Sequence, residues 1–176
     1  MREIKEIIVH CTASPEGQEM TVKQIDDIHR TQNKWRCIGY HKVIYLDGSI
    51  HDGRDINEMG AHCSEDGHNR YSIGVVYVGG CAKDGITPKD TRMPEQKKAL
   101  ASLLEELHRQ FPMAKLYGHR ELVCSLKKRD SHYPCSRCKG YPAFCIYAKK
   151  SCPSFDVHEY DYIFKTPSKR NTSLVQ

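Results

Sequence analysis

Apolar residues along this chain fall into two periods. Ile7-Ile8-Val9 is a continuous β-branched run within Lys5 to Cys11. Tyr71-Ser72-Ile73-Gly74-Val75-Val76-Tyr77-Val78 is another, stopped by Gly79-Gly80. Such runs predict strands buried on both faces. Met113 to His119 is short, apolar and helix-flanked, which predicts a strand ending at His119. Trp35 to Tyr45 leads into a further strand. Asp47-Gly48 then predicts a two-residue hairpin turn, with Ser49 to Arg54 returning as the partner.

Helical spacing recurs between these runs. Thr21-Val22-Lys23-Gln24 matches a capping box, and Val22, Ile25 and Ile28 line one face of a helix reaching about Asn33. Pro94 suits a first helical position, and Leu100, Leu103, Leu104, Leu107 and Phe111 carry a second helix to about Gln110. A last helix is expected after Ser154 or Asp156. Together these elements predict an α/β fold: a single domain with helices flanking a central mixed β-sheet.

One segment breaks the pattern. From residue 122 to 147 the hydrophobic period stops, and Cys124, Cys135, Cys138 and Cys145 crowd together with His132 and several Lys and Arg. This reads as a cysteine-rich insertion inside a domain spanning 1–165. Residues 166–176 form a polar tail expected to fray.

Composition narrows the class. A chain of 176 residues, 39% hydrophobic and 28% charged, suits one globular domain with its own core. The net charge of +5 is spread along the sequence. A mildly basic surface suits anionic polymers, cell-wall material included, and no nucleic-acid partner is expected. No apolar run approaches the ~18 residues of a membrane span, so no membrane partner is expected. Met1 to His10 runs directly into a strand without a signal-peptide h-region, which predicts synthesis in a reducing cytoplasm. There, nine cysteines point to metal ligands or buried thiols before disulfides.

The chemistry gathers late in the chain, at Lys149-Lys150-Ser151-Cys152-Pro153-Ser154-Phe155-Asp156. Far upstream, His10 and His119 each end a predicted strand. Alone, His10 reads as a satisfied structural histidine. With His119, Cys152 and a Lys two residues before that Cys, the set would make a zinc site with one open position, as a hydrolytic zinc requires.

Taken in order, Ile7-Ile8-Val9-His10-Cys11-Thr12-Ala13-Ser14, Ile38-Gly39-Tyr40-His41, Asp47-Gly48 to Gly53-Arg54, Ser72-Ile73-Gly74-Val75, Gly118-His119-Arg120-Glu121 and Lys150-Ser151-Cys152-Pro153-Ser154-Phe155-Asp156 carry a resemblance. The series resembles the zinc-dependent N-acetylmuramoyl-L-alanine amidases of the bacteriophage lysozyme type, relatives of peptidoglycan recognition proteins. It covers the chain to about residue 160 and fails over the cysteine-rich segment. The resemblance implies one catalytic zinc on His10, His119 and Cys152, with Tyr40 and Lys150 as the catalytic pair. Some relatives use Asp where this chain has Cys152. The implied substrate is peptidoglycan or a muropeptide, cleaved between N-acetylmuramic acid and L-alanine. The implied role is a monomeric endolysin, acting on the wall after release from the cytoplasm.

Other readings stand beside these. Tyr40 could pack at a strand edge, and Lys150 could be a solvated surface lysine. Arg54 and His62 could line the substrate groove or serve bland surface roles, while His41 reads as structural. Ser72 to Val75 reads as core strand with no chemistry. Cys124, Cys135, Cys138 and Cys145 could hold a second, structural zinc, with His132 replacing one of them, or form disulfides or remain thiols. The rival functions are a cytoplasmic muropeptide-recycling amidase and a non-catalytic peptidoglycan-binding module. A glycosidase needs two facing carboxylates, and no placed pair stands out.

Overall fold

A computed structural model describes residues 2–123 and 151–165. The first strand, β1 (Glu6–Cys11), is buried from Ile7 onward, as expected from its β-branched residues. A two-residue strand, β2 (Ser14–Pro15), lies in the loop after it. Helix α1 (Val22–Thr31) starts on the predicted capping box: Gln24 N–H donates to Thr21 Oγ1 at 3.3 Å, and Thr21 N–H to Gln24 Oε1 at 2.8 Å.

Strands β3 (Lys42–Ile44) and β4 (Ile50–Asp52) form the hairpin. Its turn is one residue longer than expected. Gly48 N–H donates to Tyr45 O at 3.0 Å, so Leu46 and Asp47 occupy the turn and Gly48, at φ +84°, is the bulge that follows. Asp-Gly serves this three-residue connection as well as the two-residue one, because both need a left-handed residue there.

Strand β5 (Ser72–Tyr77) is buried throughout and ends at Gly79-Gly80, where β6 (Gly80–Cys81) pairs with β2. Helix α2 (Pro94–Gln110) presents Leu100, Leu103, Leu104 and Leu107 to the core, as its period predicts. Strand β7 (Lys115–Gly118) stops one residue before His119, which opens the short helix α3 (His119–Leu122). After the undescribed segment, a 3-10 turn (Val157–Tyr160) capped by Asp156 leads into α4 (Asp161–Lys165).

The main sheet has the order β4-β3-β5-β1-β7. Strands β3, β5, β1 and β7 are parallel and β4 is antiparallel to β3, so the sheet is mixed as expected. Strand alternation divides it into two faces. Ile7, Val9 and Cys11 of β1 with Ile73, Val75 and Tyr77 of β5 pack towards the leucines of α2 and towards Phe155, Tyr160 and Ile163. On the other face, Val43 and Val76 pack with Val78, Ile25 of α1 and Ile38. The core is a sheet between helices, and its polar work is done at one end.

Candidate metal centre

Parallel register builds the site. Val9 of β1 pairs with Gly118 of β7, so the residues that follow, His10 and His119, come side by side at the carboxyl ends of adjacent strands. Their rings lie 4.4 Å apart, and both side chains are buried. The carboxyl ends of parallel strands are where open α/β sheets place their ligands.

The residue after each histidine holds Cys152. Cys11 N–H points at Cys152 Sγ at 3.3 Å, and Arg120 N–H donates to the Cys152 carbonyl at 2.7 Å. Cys152 Sγ also lies 3.8 Å from His10 Nδ1. One ligand atom each from His10, His119 and Cys152 falls within 4.8 Å of the others. On a tetrahedral zinc, N and S donors at ordinary bond lengths stand about 3.6 Å apart, so the 3.8 Å contact fits without rebuilding. Two imidazoles and a thiol, mostly removed from water, are also the donor types zinc favours.

Behind His10 the structure adds a group that sequence reading placed elsewhere. His10 Nε2 lies 3.0 Å from His62 Nδ1, both buried. His62 Nε2 lies 3.4 Å from Ser72 Oγ. Burial, and then the neighbouring His41, His119, Arg2 and Arg54, hold the His62 pKa well below its ordinary value. His62 is 8% exposed, which leaves little of it to meet a glycan or peptide. His41, the expected structural histidine, accepts from Gly74 N–H at 2.9 Å through Nδ1. Burial lowers its pKa to about 4.

Tyr40 flanks His10 as well, with ring centroids 5.2 Å apart, and its ring lies 6.4 Å from that of His62. Burial first, and then the Cys152 and Cys11 thiols, push its phenol well above the ordinary range, so it keeps its proton at any working pH. Its backbone is clamped, with Arg54 N–H donating to Tyr40 O at 2.8 Å. The Arg54 guanidinium donates to the carbonyls of Ile38, Cys37 and Met59 at 2.9, 3.1 and 2.6 Å. In this position Arg54 braces the loop that carries Tyr40.

A second set, Cys63, Glu65 and His119, also brings ligand atoms within 4.8 Å and shares His119 with the first. Cys63 Sγ donates to Glu65 Oε2 at 3.6 Å, and that oxygen lies 3.8 Å from His119 Nε2. The sequence offers no signal for it beyond a Cys and a Glu in a stretch without hydrophobic period. Cys124, Cys135, Cys138, Cys145, His132 and Lys150 lie outside the described residues.

A mixed sheet with two imidazoles and a thiol gathered at its carboxyl end defines an α/β protein with a candidate metal centre. The chain belongs to the N-acetylmuramoyl-L-alanine amidase family, whose sequence model matches residues 1–136. It is 33% identical over 159 residues to the endolysin of Klebsiella phage KP32, covering 90% of this chain and 86% of that one. Among solved structures, the N-acetylmuramoyl-L-alanine amidase LysC from Clostridium intestinale superposes with a TM-score of 0.65 at 24% identity, over 92% of this chain and 85% of the other. The Ph2119 endolysin from a Thermus scotoductus bacteriophage gives 0.59 at 28% identity, over 72% and 77%.

Proposed function

We propose that this protein is an endolysin that hydrolyses the amide between N-acetylmuramic acid and L-alanine in peptidoglycan, using zinc on His10, His119 and Cys152. The observation that carries the reading is the three-ligand cluster at the end of β1 and β7, in a chain of the amidase family. Zinc held there supplies Lewis acidity and a water activated near neutral pH.

The chain's own residues supply the rest. Tyr40, protonated and beside His10, donates a hydrogen bond to the attacking oxygen or to the departing amine. Lys150, two residues before Cys152 in sequence, supplies positive charge for the oxyanion that forms at the carbonyl. Cys11 N–H and Arg120 N–H orient Cys152 from both sides. We assign the catalytic unit to residues 1–165, with residues 122–147 as a cysteine-rich insertion in its sequence. We place the site of action at the cell wall, after release. Among the described residues, no helix is long and apolar enough to cross a membrane.

Digestion of purified sacculi tests this. Wild type should release new L-alanine amino termini without new reducing sugar ends, and Cys152→Ala should release neither while remaining folded. New reducing ends would make the enzyme a glycosidase. Binding to sacculi with no new termini from zinc-loaded wild type would make it a recognition module. Turnover of soluble muropeptides but not of sacculi would make it a recycling amidase.

A further inference from the structure

His62 occupies a slot prepared for it. Its ring lies against β5 at Gly74, where a Cβ would come within 2.5 Å of His62 Cδ2 and 2.6 Å of Cγ. A Cβ at Gly60 would meet the same Cδ2 at 2.5 Å. Gly74 is the one residue without a side chain in β5, and the imidazole takes the space its Cβ would need. A glycine inside a buried strand commonly marks such a close approach.

The backbone beneath the ring is fixed as well. Asn69 Oδ1 accepts from both His62 N–H and Cys63 N–H at 2.8 Å. Ala61 N–H donates to Gly39 O at 3.0 Å. The edge of His41 closes the remaining side, with ring centroids 5.5 Å apart. Little freedom is left except for where the protons sit.

We propose that His62 is a positioning residue that sets the tautomer of His10 for metal binding. His10 Nε2–H donates to His62 Nδ1, and His62 Nε2–H donates to Ser72 Oγ, following the 3.0 and 3.4 Å contacts. The lone pair of His10 is thereby left on Nδ1, the nitrogen that faces Cys152 Sγ at 3.8 Å. The opposite tautomer would put a proton on Nδ1 and remove one ligand. Metal-bound imidazoles are generally fixed in this way by a partner on the other ring nitrogen, and losing that partner typically costs 10–100-fold in metal affinity. Here the partner is a second imidazole, itself oriented by a serine in the adjacent strand. The inference rests on the metal reading above, and extends it to His62, Ser72 and Gly74.

The experiment measures Zn2+ dissociation constants by chelator competition for the full chain, with Co2+ absorption as a second probe. Asn at position 62 keeps an acceptor where Nδ1 stands, whereas Leu does not. His62→Leu should weaken Zn2+ binding about 10–100-fold and alter the Co2+ spectrum, while His62→Asn stays within a few-fold of wild type. Equal affinity for wild type and a folded His62→Leu overturns the proposal. Nitrogen-15 NMR of zinc-loaded wild type provides the second test, independent of how the variants fold. Protons on His10 Nε2 and His62 Nε2 support the assignment, and a proton on His62 Nδ1 overturns it. Failure of the metal reading itself would look different, since His10→Ala and Cys152→Ala would then bind Zn2+ as wild type does.

Discussion

Tyr77 Oη donates a 2.7 Å hydrogen bond to the carbonyl of Pro153, one residue past Cys152, and the pair is buried. The last residue of β5 thus holds the loop that presents the thiol. Tyr77→Phe keeps the ring packing against Phe155 and removes only that donor. A buried carbonyl without its partner costs about 1–3 kcal/mol, so urea unfolding should show a loss of that size. Zn2+ affinity should fall with it, because the loop is then held by fewer contacts.

Filling the His62 slot should be felt at the metal. Gly74→Ala puts a methyl within 2.5 Å of the imidazole. Overpacking of this kind costs about 1–3 kcal/mol, and the ring must move away from His10 to relieve it. Thermal unfolding should report the strain, and chelator competition should report weaker Zn2+ binding. Unchanged affinity would mean that the ring yields without losing His10.

Arg92 anchors the same C-terminal stretch from below. Its guanidinium donates to both oxygens of Asp90 at 2.8 Å, to Glu159 at 2.8 Å and to Tyr160 Oη at 2.9 Å, and its Cζ lies 3.2 Å from the Phe155 ring centroid. Arg92→Lys keeps the charge but cannot fork to Asp90 or stack as a plane. With the side chain 1% exposed, even this substitution should destabilise by about 2–4 kcal/mol in denaturant melts.

Stability should also depend on pH through His158. Hydrogen bonds to Glu121 at 2.7 Å and Asp161 at 3.0 Å raise its pKa to about 9. A histidine with a raised folded-state pKa contributes fully below its unfolded value of about 6.5, and that contribution is lost as pH rises through the folded value. Melting temperature should therefore decline between about pH 6.5 and 9, and His158→Gln should flatten the decline. A wild type with no slope in that window would refute the assignment.

Metal should stabilise the fold by mass action. Free Zn2+ at one hundred times its dissociation constant adds about 2.7 kcal/mol if it binds only the folded state. The melting temperature of wild type should rise with Zn2+ and fall back with chelator. Cys152→Ala should respond weakly to both.

Much of this was legible in the residues. The β-branched runs and the leucine stripe of α2 predicted buried strands and a core-facing helix because burial was their dominant constraint. His10, His119 and Cys152, which the structure brings together, stand out in the sequence through two histidines at predicted strand ends, a Lys-Ser-Cys-Pro motif and the family resemblance. His62 and Arg54 were harder. Both lie in segments without a hydrophobic period, and their partners are backbone carbonyls and a distant imidazole that only tertiary contact brings near. Ser72 and Gly74 were read as plain core, although a glycine inside Ser72-Ile73-Gly74-Val75 was the available sign that something else enters the sheet there. The hairpin turn differed by one residue because Asp-Gly suits either connection length.

The ligand set also has a chronology. His10 and Cys152 stand 142 positions apart in the chain. At ~5–20 residues per second of synthesis, the thiol follows the first imidazole from the ribosome by roughly 7 to 30 seconds. Until then the growing polypeptide owns two of the three proposed metal donors at most, those that the pairing of β1 with β7 brings side by side in the folded protein. A hydrolase so arranged cannot complete the proposed site until Cys152 has been made. On the proposed ligand set, lytic capacity waits for Cys152, and a product truncated before it carries none.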